Sequence, residues 1–148
     1  MLINKKSQWN EAQIIDFLGK TISPVRLSFL NKKQEPQICS LWYLYDDGVI
    51  WAASHKNSFL IKQLKHNDKV AFEISSNDYP YTGVRGKADV ELVQSNAEHV
   101  LDKLIARFLG SSNKELAEWL MSRAEDEYAI KLTPTYVNAW DFSNRMEK

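Results

Sequence analysis

The stretch Gln37–Ser54, QICSLWYLYDDGVIWAAS, constrains the chain more than any other. β-Branched and aromatic residues crowd both halves, and Asp47-Gly48 sits between them. Both residues tolerate positive φ, so the pair predicts a tight hairpin turn joining two antiparallel strands. A two-stranded ribbon is marginal by itself in water, so further strands must pair with it. The sequence supplies them. After Pro24, VRLSFLN alternates Val25, Leu27 and Phe29 with Arg26 and Ser28, the period of a half-buried strand. KVAFEIS and TGVRGKADVELV carry strand patterns on either side of a turn at SNDYP. EYAIKLTPTYVNAWDF predicts one or two closing strands interrupted at Pro134.

Helices fall between and beside these strands. NEAQIIDFLGK opens with Asn10 and Gln13 spaced as a capping box, places Ile14, Ile15 and Leu18 on one face, and ends at Gly19. SFLIKQLK spaces Phe59, Leu60 and Leu64 helically. Ser95 with Glu98 and Ser112 with Glu115 predict two further capping boxes, opening NAEHVLDKLIARFLG and NKELAEWLMSRA. Some six short antiparallel strands with flanking helices define an α+β domain. Its sheet most economically removes its edges by curling into a small barrel.

At 148 residues, 44% of them hydrophobic, the chain fits one domain spanning 1–148. Nineteen basic and nineteen acidic side chains cancel, so no overall field favours nucleic acid. The single cysteine, Cys39, lies in a strand-like run and reads as an inert thiol. The start MLINKKSQW has no long apolar run, and a reduced, cytoplasmic location without membrane association is expected. His55, His66 and His99 lack the spacing and partners of a zinc site, so no metal is expected. No G-x-S-x-G or Cys-His arrangement points to a covalent nucleophile, and no catalytic residue stands out. RAEDEY reads as the solvated end of a helix before a strand. Trp42, Tyr43, Tyr45 and Trp51, clustered on one hairpin, suggest apolar surface that a second copy of the chain would cover.

The loop in IWAASHKNSFLIKQL carries the clearest chemistry. Ser58 is a good N-cap, and Lys62 lies one turn further along the same face. Helix-start N–H groups, hydroxyls and ammonium groups together suit a phosphate-sized anion. An ordinary capped helix with solvated lysines fits the same residues.

A resemblance bears on that choice. PVRLSFLNKKQEPQICSLWYLYDDGVIWAASHKNSFLIKQLKHNDKVAFEI, then PYTGVRGKADVELV, LIARFLG and the terminal PTYVNAWDFSNRM resemble the pyridoxamine 5′-phosphate oxidase-like superfamily. The similarity runs from about Val25 to Met146, and its weight lies in the ordered set of segments rather than in one motif. The resemblance implies a small antiparallel split β-barrel with flanking helices. It also implies a homodimer with flavin mononucleotide (FMN) in clefts between subunits. The loop maps to a phosphate site of Ser54, Lys56, Asn57, Ser58 and Lys62. Ser40 and Trp42 would face the ring, and the second subunit would supply Tyr81 and Arg85. An oxidoreductase on a small-molecule substrate follows. A deazaflavin is the alternative cofactor, with haem beside His55 a further one, and a non-catalytic carrier is the alternative role. The arginine and lysine that the namesake enzyme carries on its second strand and phosphate loop have no counterparts in ICSLWYLY or in Ser58, Phe59, Leu60. That departure argues against pyridoxamine-phosphate oxidation.

Overall fold

The computed structural model describes residues 1–146. Its strands are β1 (Leu2–Ile3), β2 (Val25–Leu30), β3 (Pro36–Leu41), β4 (Leu44–Asp46), β5 (Val49–His55), β6 (Lys69–Ser75), β7 (Thr82–Val93) and β8 (Glu127–Asp141). Its α-helices are α1 (Glu11–Lys20), α2 (Phe59–Leu64), α3 (Ala97–Phe108), α4 (Lys114–Ser122) and α5 (Ser143–Met146).

The sheet runs in the order β3-β2-β6-β7-β8-β5-β4, with β1 parallel to the far half of β8. Its two ends are the two halves of one ribbon, because only Trp42 and Tyr43 separate β3 from β4. A sheet whose opposite edges are joined so closely must curl. The result is an antiparallel split barrel with flanking helices, the α+β class expected from the strand pattern.

The hairpin forms at Asp47 (φ 44°) and Gly48 (φ 82°), both left-handed as the turn requires. On β2, Val25, Leu27 and Phe29 turn into the barrel while Arg26 and Ser28 face outward. The interior closes around Ile14, Leu18, Leu27, Tyr43, Ile50 and Leu132. α3 lies against the outside of β5 and β8, where Val100, Leu104 and Ala129 form a second apolar layer with Trp42 and Trp51.

Several expectations need correction. The aromatic hairpin is covered in part by its own chain. Tyr43 is fully buried and donates its hydroxyl to the Leu18 and Thr21 carbonyls (2.8 and 3.0 Å), and Trp42 stacks on Phe108 at 5.4 Å. Tyr43 therefore needs no second copy to cover it, whereas Trp42, Tyr45 and Trp51 remain partly exposed. α1 does not stop at Gly19. It continues to Lys20, and the Arg107 guanidinium joins Tyr43 in satisfying its terminal carbonyls. The capping box at Asn10 and Gln13 forms as expected. The other two do not: Asn96 and Asn113 take the N-cap positions. The Asn113 side chain accepts from Leu116 N–H, while Ser112 turns back to the Leu109 carbonyl. Pro134 does not split the last strand. β8 runs through it, and the register absorbs one extra residue opposite Lys87 and Ala88.

Candidate functional site

Two clefts open on the outside of the barrel. The first, of about 400 Å³, lies between the sheet and the helices. Its floor is the end of β3 with Ser40 and the adjoining Trp42, together with Ala53, Ser54 and His55 of β5. Leu101 and Leu104 of α3 and Leu116 and Leu120 of α4 form the opposite wall. Arg123 and Glu127 close one end.

Register explains why these side chains meet. β5 pairs with β8 so that His55 stands opposite Glu127, and cross-strand partners share a face. The β5 strand then turns at Lys56 and Asn57 into α2. Ser58 caps that helix by accepting from Ile61 N–H (3.2 Å), and Ser54 donates to the Ser58 hydroxyl (2.9 Å). Asn57 N–H donates to His55 Nδ1 (3.1 Å), so in the neutral ring the hydrogen resides on Nε2.

Charge in this loop is already partly committed. Lys56 reaches Asp126 at 2.7 Å, and its backbone N–H donates to the Asp126 carbonyl, also at 2.7 Å. The hydrogen bond and charge of Lys56 hold the Asp126 carboxyl below the usual range. Lys62 is exposed and forms no ion pair among the described residues. Glu127 is 8% exposed, and burial pushes its carboxyl up, against the pull of Arg123. RAEDEY is thus not a solvated helix end: Asp126 pins the loop and Glu127 is buried beside the cleft.

The second cleft, of about 480 Å³, lies on the open sheet face. Two rows cross the strands there. Arg26, Glu73, Arg85 and Asn138 follow one line of register, and Ser28, Ala71, Lys87 and Tyr136 the next. Among the described residues no ion pair joins Arg26, Glu73 and Arg85. Glu73 accepts from Ser75, and the Arg85 guanidinium sits 5.3 Å from the Trp140 ring. Asn138 Oδ1 is buried with no hydrogen-bond partner among the described residues.

The expected site residues therefore divide. Ser40, Trp42 and Ser54 line the helix-walled cleft, and Ser58 touches it through Ser54. Lys56, Asn57 and Lys62 belong to the adjoining loop and helix without lining the cleft. Arg85 lines the sheet-face cleft, and the exposed Tyr81 lines neither. Sequence reasoning missed Glu127, which the β5–β8 pairing sets opposite His55, and Arg123, which the end of α4 brings to the same cleft. Burial raises the Cys39 thiol further from ionisation, the direction that disfavours a thiolate nucleophile.

No family model and no curated protein matches the sequence. Solved structures do match the fold. A conserved hypothetical protein of Mycobacterium tuberculosis superposes with a TM-score of 0.79 at 19% identity, covering 95% of this chain and 90% of its own. An F420 reductase gives 0.71 at 20% identity, covering 83% and 94%. An FAD-binding protein of Mesorhizobium loti gives 0.64 at 16% identity, covering 88% and 92%. At these identities the likeness establishes the split-barrel fold. Among the described residues, no helix is long and apolar enough to cross a membrane.

Proposed function

We propose that this chain is a flavin- or deazaflavin-binding oxidoreductase that acts on a small molecule, with FMN the first choice of cofactor. One observation carries the reading. Ser40, Trp42 and Ser54, expected from separate strands to face a cofactor, line one cleft, and Ser54 ties that cleft to the Ser58 cap. The FAD-binding protein and the F420 reductase with the same fold support it. In this reading the ring lies against Ser40 and Trp42. Ser58, Asn57 and Lys62 hold the phosphate, with Lys62 the principal cation because Lys56 is engaged by Asp126. Tyr81 and Arg85 come from a second copy. A bound flavin supplies hydride and electron transfer, while the chain positions it and excludes water.

The purified chain should show the yellow absorption of a flavin or take up added FMN or deazaflavin at micromolar concentrations, and competition between the two identifies the preferred ring. Binding of neither overturns the reading. Light scattering should report a dimer, and a 17.1 kDa particle would remove the shared site.

A further inference from the structure

Ala71 marks a gap in the open sheet face. Along one line of register the outward side chains run Ile38, Ser28, Ala71, Lys87 and Tyr136, and Arg26, Glu73 and Arg85 form the line beside it. Ala71 is exposed, and its single methyl leaves a pit in the floor of the sheet-face cleft. Ser28 and Lys87 flank it on the adjoining strands, about 5 Å away, and Arg26 and Arg85 stand on the diagonals, about 7–8 Å away. Lysine and arginine side chains reach over the pit from those positions.

The charges around the pit are not paired with one another. Arg26 and Arg85 each face Glu73 across the sheet, an arrangement that ordinarily favours ion pairs. Glu73 instead accepts from Ser75 (2.9 Å), two residues along β6 on the side away from Ala71, and the Arg85 guanidinium rests 5.3 Å from the Trp140 ring. Arg26, half-buried, and Lys87 form no ion pair among the described residues. Tyr136 accepts from Asn4, so its own hydroxyl hydrogen is free to donate.

We infer that the pit over Ala71 binds the phosphate of a small organic phosphomonoester. Two unopposed cations, Arg26 and Lys87, match a dianion. A phosphate ester also carries three acceptor oxygens that point in different directions, so Arg26, Lys87 and the Ser28 hydroxyl can each meet a separate one. A carboxylate has only two, in one plane. Arg85, resting on Trp140, takes the smaller part. The cleft, of about 480 Å³, is far larger than a phosphate, and exposed Ile38 lines it beside Ser28, which gives the organic part of the ester an apolar contact. This cleft shares no lining residue with the helix-walled one, and the inference does not need a bound flavin.

Phenyl phosphate, benzenesulfonate and inorganic phosphate separate charge from shape. Each is titrated into the full chain, without added cofactor, at pH 7.5, where a phosphomonoester is close to doubly charged, and backbone amide NMR shifts are followed. Phenyl phosphate should bind about tenfold more tightly than benzenesulfonate, which has the same ring and one charge fewer. It should bind about fivefold more tightly than inorganic phosphate, which has no ring to set against Ile38. The shifts should centre on Ala71 and Lys87. Arg26→Ala and Lys87→Ala should each lose about tenfold, and Ala71→Leu, which fills the pit and keeps every charge, should abolish binding. If a variant does not fold, the ranking of probes and the place of the shifts in the native chain still decide. Equal binding of benzenesulfonate overturns the dianion, and equal binding of inorganic phosphate overturns the ester. Shifts confined to Ser58–Lys62, or loss of binding with Lys62→Ala in place of Lys87→Ala, overturn the site. So does absence of phenyl phosphate binding at millimolar concentration. Because no flavin is present, these outcomes are independent of whether FMN binds.

Discussion

The two clefts are built on different mechanical terms. The sheet-face cleft has a floor of paired backbone, with β6, β7 and β8 locked in register beneath Glu73, Arg85 and Asn138. The helix-walled cleft has one such floor and one soft wall. α4 contributes Leu116 and Leu120, yet none of its residues is buried, and Trp119 is 53% exposed. A rigid floor presents a fixed array of charge. A loosely packed wall lets a cleft adjust to what enters it, because few buried contacts resist its movement. The molecule thus places Arg26, Arg85 and Lys87, none of them in an ion pair among the described residues, on the rigid surface, and Glu127, the one buried carboxyl among the described residues, beside the adjustable one.

The difference is easiest to break at Gly86. A Cβ built there would lie 2.1 Å from the Tyr136 carbonyl oxygen and 2.9 Å from Val137 Cγ1. Backbone cannot yield as a flexible side chain can, so β7 and β8 must part. Gly86→Ala should cost about 3 kcal/mol or more in chemical unfolding. Leu116→Ala, in the soft wall, should cost about 1 kcal/mol or less, since Leu116 is only partly buried. Comparable costs for the two changes would show that the walls are equally rigid.

What could be read from the sequence followed the range of the interaction. The Asp47-Gly48 turn, the Asn10–Gln13 box and the Ser58 cap are each settled within a few residues, and each forms. The two later boxes failed because the helices start one residue beyond the serines, at Asn96, whose side chain makes no cap hydrogen bond, and at Asn113, whose side chain does. Ser40, Trp42 and Ser54, which line the helix-walled cleft, were put in one site by the family resemblance and not by their spacing in the sequence. Glu127 was not, because its position depends on β8 pairing with β5, which lies far away in the chain. The row from Arg26 to Asn138 was hidden for the same reason: alternation says which face a residue takes, but not which strand stands next to it.

Between the two clefts lies the question of where a phosphate goes. With Lys56 held by Asp126, Lys62 should carry the charge-assisted contact in the proposed FMN site. Lys62→Ala should weaken FMN about ten- to a hundredfold, the effect of losing about 1.5–3 kcal/mol, and should leave unfolding stability almost unchanged. Lys56→Ala should weaken it by no more than about fivefold. Riboflavin, which lacks the phosphate, should bind the native chain and the Lys62 variant alike. If Arg85→Ala or Arg26→Ala abolishes the preference for FMN over riboflavin while Lys62→Ala does not, the phosphate belongs to the sheet-face cleft.

The smallest effect concerns Glu127 and its pH dependence. Burial raises its folded-state pKa above the ordinary value of 4.5. Below that value the carboxyl is protonated in both folded and unfolded chains, so burial exacts no ionisation cost. As pH rises past it, the unfolded chain ionises while the folded chain retains its proton, and stability falls until the folded carboxyl also ionises. Glu127→Gln removes the titration. The variant should therefore match the native chain near pH 4 and gain up to about 1 kcal/mol by pH 7. Asp126, held low by Lys56, shifts stability the other way, losing it as pH falls, but both proteins carry it, so it largely cancels in the difference. Urea unfolding of both proteins across this range measures the gain directly. A difference that does not change with pH would mean that the Glu127 carboxyl ionises as easily in the folded chain as in water, and the soft cleft would then hold a charge like the rigid one.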